Sequence, residues 1–248
     1  MDNLLPLLDN KVYDFNLESI RNSTRDDFGP GCQVKYDPDA KSEIFDQFIK
    51  DFTLGRKDIE NCLQEFSGMA LMGNRSLIFK KFLRLYGGGS NGKTVLLNTL
   101  TKIIQYYTIS QPSELNYDML ISARLLIINE SETEKQEMTN KSFVKKLIGG
   151  DSIYSQKDSC NVNHGCRVVM VSNTKDDFGE DNIIRNRCIY VPCLMEAVTN
   201  PTESHQRKLD INLSERLNDP YVLSAILNWL IEGALRFKRQ GFVTEPKL

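Results

Sequence analysis

The sequence lacks any run of about 18 apolar residues, so no stretch is long enough to cross a bilayer as a helix. The first residues, Met1-Asp2-Asn3-Leu4-Leu5, lack the basic stretch and apolar core of a secretory signal. A basic excess is also missing. Lys and Arg number 31 against 33 Asp and Glu, a net charge of −2. That excludes a histone-like coat over DNA and leaves room for a nucleic-acid binder whose positive charge is confined to a channel or loop. Histidine is scarce, with 2 in the chain, and no cluster of carboxylates with histidine suits nucleotidyl transfer. The 6 cysteines are scattered, as expected of free thiols in a reducing cytosol. Cys160, His164 and Cys166 lack the tight C-x₂-C pairing and fourth ligand of a zinc site, and read as a polar hairpin that carries thiols. There are no internal repeats and no low-complexity tract.

What is present is ordinary for a globular protein: 248 residues, 40% hydrophobic and 26% charged, enough for one large domain or a core with appendages. Leu8 to Phe15 reads as a turn followed by a short strand, and Asn22 to Gly31 as a polar loop. Ser42 is placed to cap a helix whose apolar face is Ile44, Phe45, Phe48, Ile49 and Phe52. A second helical face runs through Ile59, Cys62, Leu63 and Phe66, with Gly68 as its expected stop. Four apolar runs then follow, at 82–86 (with Arg84 at its centre), 125–128, 168–171 and 188–191. Such runs, separated by helical patterns and loops, predict a buried, largely parallel sheet. Asp219-Pro220 starts a C-terminal helix with Leu223, Ile226, Leu227, Leu230 and Ala234 on one face and Gly241 at its end. Trp229 lies beside that face as a packing residue. The expected division is an N-terminal strand and helical domain over 1–75, an α/β core over 76–195 and a C-terminal helical segment over 196–248.

The chain is organised around Gly87-Gly88-Gly89-Ser90-Asn91-Gly92-Lys93-Thr94, which fits the phosphate-cradling pattern G-x-x-x-x-G-K-[ST]. An apolar strand leads in and a helical pattern leads out, which is the context that pattern needs. Glycines allow backbone N–H groups to face phosphate oxygens, and the following helix adds its positive end. Lys93 would reach the β- and γ-phosphates, and the Thr94 hydroxyl would coordinate Mg²⁺. Hydrolysis needs further parts, and they come in order. Leu125-Leu126-Ile127-Ile128 ends in Asn129-Glu130, a carboxylate at a strand tip able to orient water and assist the metal; Glu132 is a weaker candidate. Val168-Val169-Met170-Val171 ends in Ser172-Asn173, an amide for the γ-phosphate or the water, or simply a turn start. Arg185-Asn186-Arg187 precedes the last apolar run. Between them Gly149 to Gly165 reads as a polar hairpin with Lys157 near its tip, either an ordinary surface lysine or a point charge for a nucleic-acid backbone.

The order of these pieces resembles the superfamily 3 helicases, and most of all the helicase part of phage, plasmid and large-DNA-virus primase–helicases. The pieces are Gly-x-x-Asn-Gly-Lys-Thr, Ile-Ile-Asn-Glu, Gly-Gly-Asp, Val-Ser-Asn and Arg-x-Arg. Asn10 to Asp14, Tyr36-Asp37-Pro38 and Ile226 to Ala234 extend the likeness over nearly the whole chain. The resemblance implies an AAA+ core that binds ATP and Mg²⁺ and works in the cytoplasm as a hexameric ring. The ring would draw single-stranded DNA from a fork through its pore, with a primase domain or protein as partner, and residues 1–75 are the candidate collar. It also implies roles: Lys93 and Thr94 as phosphate and metal ligands, and Glu130 as the catalytic carboxylate. Asn173 becomes the polar sensor and Arg187 the finger that reaches a neighbour's nucleotide, with Arg185 as alternate. Lys157 becomes the basic residue of the pore hairpin. Where many relatives carry two acids this chain has Asn129-Glu130, so metal handling rests on Glu130. Other readings remain: a AAA+ ring that remodels or packages nucleic acid or acts on RNA, a small-molecule P-loop kinase, and a structural ring without turnover. A kinase would need an arginine-bearing lid in the same subunit, and the intact Lys93, Thr94 and Glu130 argue against a structural ring.

Overall fold

In the computed structural model, residues 3–25, 27, 31–73, 79–129, 141–149, 153–155, 159–162, 164–175, 178 and 181–247 are described. An antiparallel sheet of β1 (Leu4–Pro6), β2 (Lys11–Asp14) and β3 (Ser19–Asn22) precedes the helices α1 (Glu43–Phe52) and α2 (Lys57–Met72). Then β4 (Phe82–Tyr86), α3 (Lys93–Leu100), β5 (Tyr106–Ile109), α4 (Tyr117–Ser122), β6 (Leu125–Asn129) and α5 (Lys141–Ile148) alternate. A hairpin of β7 (Ile153–Ser155) and β8 (Cys160–Val162) leads to β9 (Arg167–Ser172), α6 (Asn182–Arg185) and β10 (Cys188–Pro192). A short parallel pair, β11 (Glu196–Val198) and β12 (Gln206–Lys208), is followed by α7 (Leu213–Leu217) and α8 (Pro220–Gln240).

The centre is a five-stranded parallel sheet in the order β10-β4-β9-β6-β5. The fold is α/β, and all four apolar runs of the sequence are strands of this sheet. Side chains alternate across a strand, so each run feeds two cores. Leu83, Leu85, Ile127, Val169, Ile189 and Val191 face one side with α1, α2, α3 and α8. Phe82, Leu126, Ile128, Val168 and Met170 face the other, with Leu120 of α4, Val144 and Leu147 of α5, and Ile184 of α6. Burial on both faces explains why these strands read as continuous rather than alternating apolar segments. β5 gave no such signal: of its four residues only Ile109 is buried, and Tyr106 is 46% exposed.

The helix ends follow local chemistry. Ser42 Oγ accepts from the Phe45 N–H at 3.2 Å and starts α1. Asp219 does the same for Tyr221 and Val222 at the start of α8, and Gly241, at φ 78°, closes that helix in the left-handed region. Trp229 packs edge-on to Phe45, ring centroids 5.2 Å apart. Gly68 is a correction. It does not stop α2, which runs to Met72 and ends at Gly73 (φ 59°). A Cβ at Gly68 would lie 2.3 Å from Ala234 N and Leu230 O, and one at Gly233 would lie 2.0 Å from Gln64 O. The two glycines let α2 and α8 touch backbone to backbone, so Gly68 marks a helix crossing, which no local rule distinguishes from a stop.

Candidate functional site

Because the sheet is parallel, its strands all end at one edge, and ligand sites in open α/β sheets lie there. β4 runs into the glycine loop, and α3 leaves it. Gly87 has φ 149°, and a Cβ there would meet Cys193 O at 2.4 Å and Asn91 Nδ2 at 2.8 Å. The continuation of β10 holds the loop: Cys193 N–H donates to Tyr86 O at 2.8 Å, and Asn91 Nδ2 donates to Cys193 O at 3.1 Å. Gly92 (φ 81°) is the N-cap of α3, with Phe52 and Met195 behind it. Gly88 and Gly89 differ. An added Cβ at either meets nothing within 4 Å, so packing does not require glycine there. Their bareness leaves the loop backbone open to a ligand.

Lys93 is buried, 7% exposed, and its ammonium donates to Gly87 O at 2.6 Å and Gly88 O at 3.0 Å. The cation therefore sits on the loop itself. Burial lowers its pKa below the ordinary lysine value, with Cys193 acting weakly the other way. The Cys193 thiol is pushed up to about 12 by its own burial and stays neutral. Thr94, in the first turn of α3, is exposed, so its hydroxyl is available to solvent or an ion.

The register places the other candidates. Tyr86 stands beside Ser172, and Asn129 stands beside Val171. Asn173, exposed, follows Ser172 at the end of β9, on the same edge as the glycine loop. β9 separates β4 from β6, so the two are about 10 Å apart. Asn129 donates to Thr108 Oγ1 at 3.2 Å, toward β5 and away from the loop. Glu130, Glu132, Lys157 and residues 150–152 lie outside the described residues.

Arg185 and Arg187 are not brought to this edge. Arg187 O accepts from Phe82 N at 2.9 Å, at the start of β4 and β10. Five rungs separate that level from Pro192 and Tyr86, about 16 Å at the strand rise. Arg185, at the end of α6, is exposed, and Arg187 is half-buried.

Two features had no sequence signal. A cavity of about 320 Å³ opens beside the loop, between α1 and the β12–α7 segment. The ion pair of Asp51 and Arg207, at 2.6 Å, is formed by two of its lining residues. These residues are 156 positions apart, and only folding joins them. Lys175, two residues beyond Asn173, lies 5.9 Å from the Tyr86 ring centroid and 5.7 Å from that of Tyr190. Among the described residues no helix is long and apolar enough to cross a membrane, and no His/Cys/Asp/Glu group is arranged to hold a metal ion.

The profile of a family of unknown function (DUF5906) matches residues 85–187, which span the glycine loop to Arg187. No curated protein matches the sequence. The fold is similar to an A-form apo structure of the NrS-1 C-terminal region, with a TM-score of 0.61 at 14% identity over 88% of this chain and 53% of that one. A second A-form apo structure, of NrS-1 residues 305–718, gives a TM-score of 0.56 at 14% identity over 82% of this chain and 49% of that one. At such identity the likeness is one of fold, and the chain spans about half the length of the structures it resembles.

Proposed function

We propose that this chain is the ATPase motor of a ring helicase in the replication of a phage, virus or plasmid, with a AAA+ core of the superfamily 3 kind. One observation carries the proposal. The open, exposed Gly88-Gly89 and the buried Lys93 lie at the carboxyl edge of a parallel sheet, between a strand and a helix N-terminus. That arrangement suits a nucleoside triphosphate. The loop N–H groups and Lys93 bind the β- and γ-phosphates, and Thr94 and Glu130 would hold Mg²⁺. Held there, Mg²⁺ would supply positive charge to offset what develops on the phosphoryl oxygens. Glu130 orients the attacking water, and Asn173 holds the γ-phosphate. Arg187, with Arg185 as alternate, lies on the far side of the sheet from its own loop. It acts on the site of a neighbouring subunit, which makes the active unit a ring, a hexamer in this reading. Residues 1–75 form its collar, 76–195 the motor and 196–248 the C-terminal segment. Lys157 on the pore hairpin meets the backbone of single-stranded or forked DNA, and a primase domain or protein accompanies the ring. The chain works in the cytoplasm.

A second reading, a AAA+ ring that remodels or packages nucleic acid, or acts on RNA, without processive unwinding, uses the same site. A small-molecule kinase is disfavoured because both arginines lie at the opposite edge from the loop. The test measures ATP hydrolysis with and without single-stranded DNA, with particle mass and strand displacement on forked DNA. The proposal expects DNA-stimulated hydrolysis by a ring that separates strands. Hydrolysis by a ring without strand separation selects the remodelling reading, and turnover by a monomer sinks both.

A further inference from the structure

Arg84 stands at the middle of β4 and is fully buried. Its register partners are Met170 on β9 and Tyr190 on β10. Taking a guanidinium out of water costs free energy that a leucine at this position would not, so packing alone does not account for it. The side chain reaches toward the carboxyl edge. Arg84 Nη2 donates to Ser172 Oγ at 3.4 Å, although Ser172 pairs with Tyr86, two positions further along the strand. Ser172 Oγ donates in turn to Thr174 O at 2.5 Å. That second bond spans Asn173 and closes the backbone around it.

Two more contacts tie the chain beyond Asn173 to the same face of β4. The Lys175 ammonium lies near the rings of Tyr86 and Tyr190. Phe178 adopts a left-handed φ of 53°, a conformation that a bulky residue keeps only where its surroundings fix it. Its ring centroid is 4.9 Å from Arg84 Cζ and 5.7 Å from that of Phe82. Phe82, Arg84 and Tyr86 alternate with Leu83 and Leu85, so they share one face. The strand that runs into the glycine loop therefore also holds the segment that carries Asn173.

We propose that Arg84 is a positioning residue for Asn173, fixing the Ser172–Thr174 turn at the level of the glycine loop so that the Asn173 amide has one place when a γ-phosphate arrives. This role rests on the reading of Asn173 as the group that meets the γ-phosphate, and it adds what holds that group. It needs no contact between Arg84 and the nucleotide.

The test uses the intact chain and reads ATP turnover beside MgATP affinity in Arg84→Met, Ser172→Ala and Asn173→Ala, and in each of the first two combined with the third. Arg84→Met and Ser172→Ala should each lower turnover about tenfold, less than the ~10²-fold a misplaced group can cost, with MgATP affinity within about twofold of the intact chain. In the Asn173→Ala background the same changes should cost less than about twofold further, because no amide is left to position. A purely structural role gives the same factor in both backgrounds. Ser172→Ala removes one hydroxyl, so it carries the test if Arg84→Met does not fold. Losses that multiply, turnover that stays at the intact rate, or affinity that falls in step with turnover overturn the positioning role and leave the phosphate loop standing. An unchanged rate in Asn173→Ala alone removes Asn173 from the site, and the role of Arg84 with it. An intact chain that does not hydrolyse ATP sinks the proposed function itself.

Discussion

The two edges of the central sheet are built from the same five strands and do opposite things. At the carboxyl edge β4 runs into the glycine loop and β9 into the polar Asn173-Thr174. Polar groups there are either buried against the loop, as Lys93 is, or left exposed, as Thr94 and Asn173 are. At the amino edge Arg187, a half-buried residue, continues the ladder through its backbone. Along β4 and β10 the backbone at Arg187 lies about 16 Å from the level at which the glycine loop begins. The proposed site, which uses both, therefore takes them from two molecules.

Substitution at Lys93 separates the edges most strongly. Lys93→Ala should abolish ATP hydrolysis and weaken nucleotide binding, with the melting temperature little changed, because the side chain bonds only to the loop's own carbonyls. Turnover that survives the change removes the phosphate-loop assignment. Arg187→Ala, at the other edge, should leave nucleotide binding within about twofold while hydrolysis falls about 10³-fold, the lower end of arginine-finger effects. Rings mixed from Arg187→Ala and Lys93→Ala subunits should regain activity, because each supplies the edge the other lacks. If mixed rings form and stay inactive at every ratio, the amino edge takes no part in a neighbour's site. Asn173→Ala should cost about 10²-fold in turnover, as loss of one polar contact to developing charge does elsewhere. An unchanged rate would make Ser172-Asn173 a turn and nothing more.

How much of this was legible in the sequence depends on how far apart the deciding residues are. The strands at 82–86, 125–128, 168–171 and 188–191, the caps at Ser42 and Asp219, and the glycine loop are local patterns, and each folds as its pattern implies. Gly68 misled because a helix stop and a helix crossing use the same residue, and only Ala234 and Leu230 on α8 tell them apart. β5 was invisible because only Ile109 of its four residues is buried, so nothing requires it to be continuously apolar. The cavity was invisible for a stronger reason. Phe48 reads as core, which it is, and no pattern in the sequence marks Arg207; that Asp51 and Arg207 line one cavity beside the loop is a fact of tertiary packing alone. The order of strand tips along the sequence suggested a site, yet their spacing across the sheet, with β9 between β4 and β6, came only from the fold.

The smallest effect lies in the protonation of Lys93. Its burial favours the neutral amine, so its pKa in the free chain is below that of an exposed lysine. Bound phosphates favour the ammonium and raise it. Between those two pKa values binding must take up a proton, and affinity falls as pH rises, by at most tenfold per unit. Below the lowered value the lysine is already charged, and affinity should be flat with pH. An arginine at this position stays charged throughout. Nucleotide affinity measured from pH 7 upward should therefore begin to fall at lower pH than an ordinary lysine would allow, while in Lys93→Arg the fall should vanish even if overall affinity drops. Parallel profiles for the two proteins would mean that the ammonium of Lys93 is not the group the phosphates meet. The carboxyl edge would then owe its anion affinity to the loop N–H groups alone.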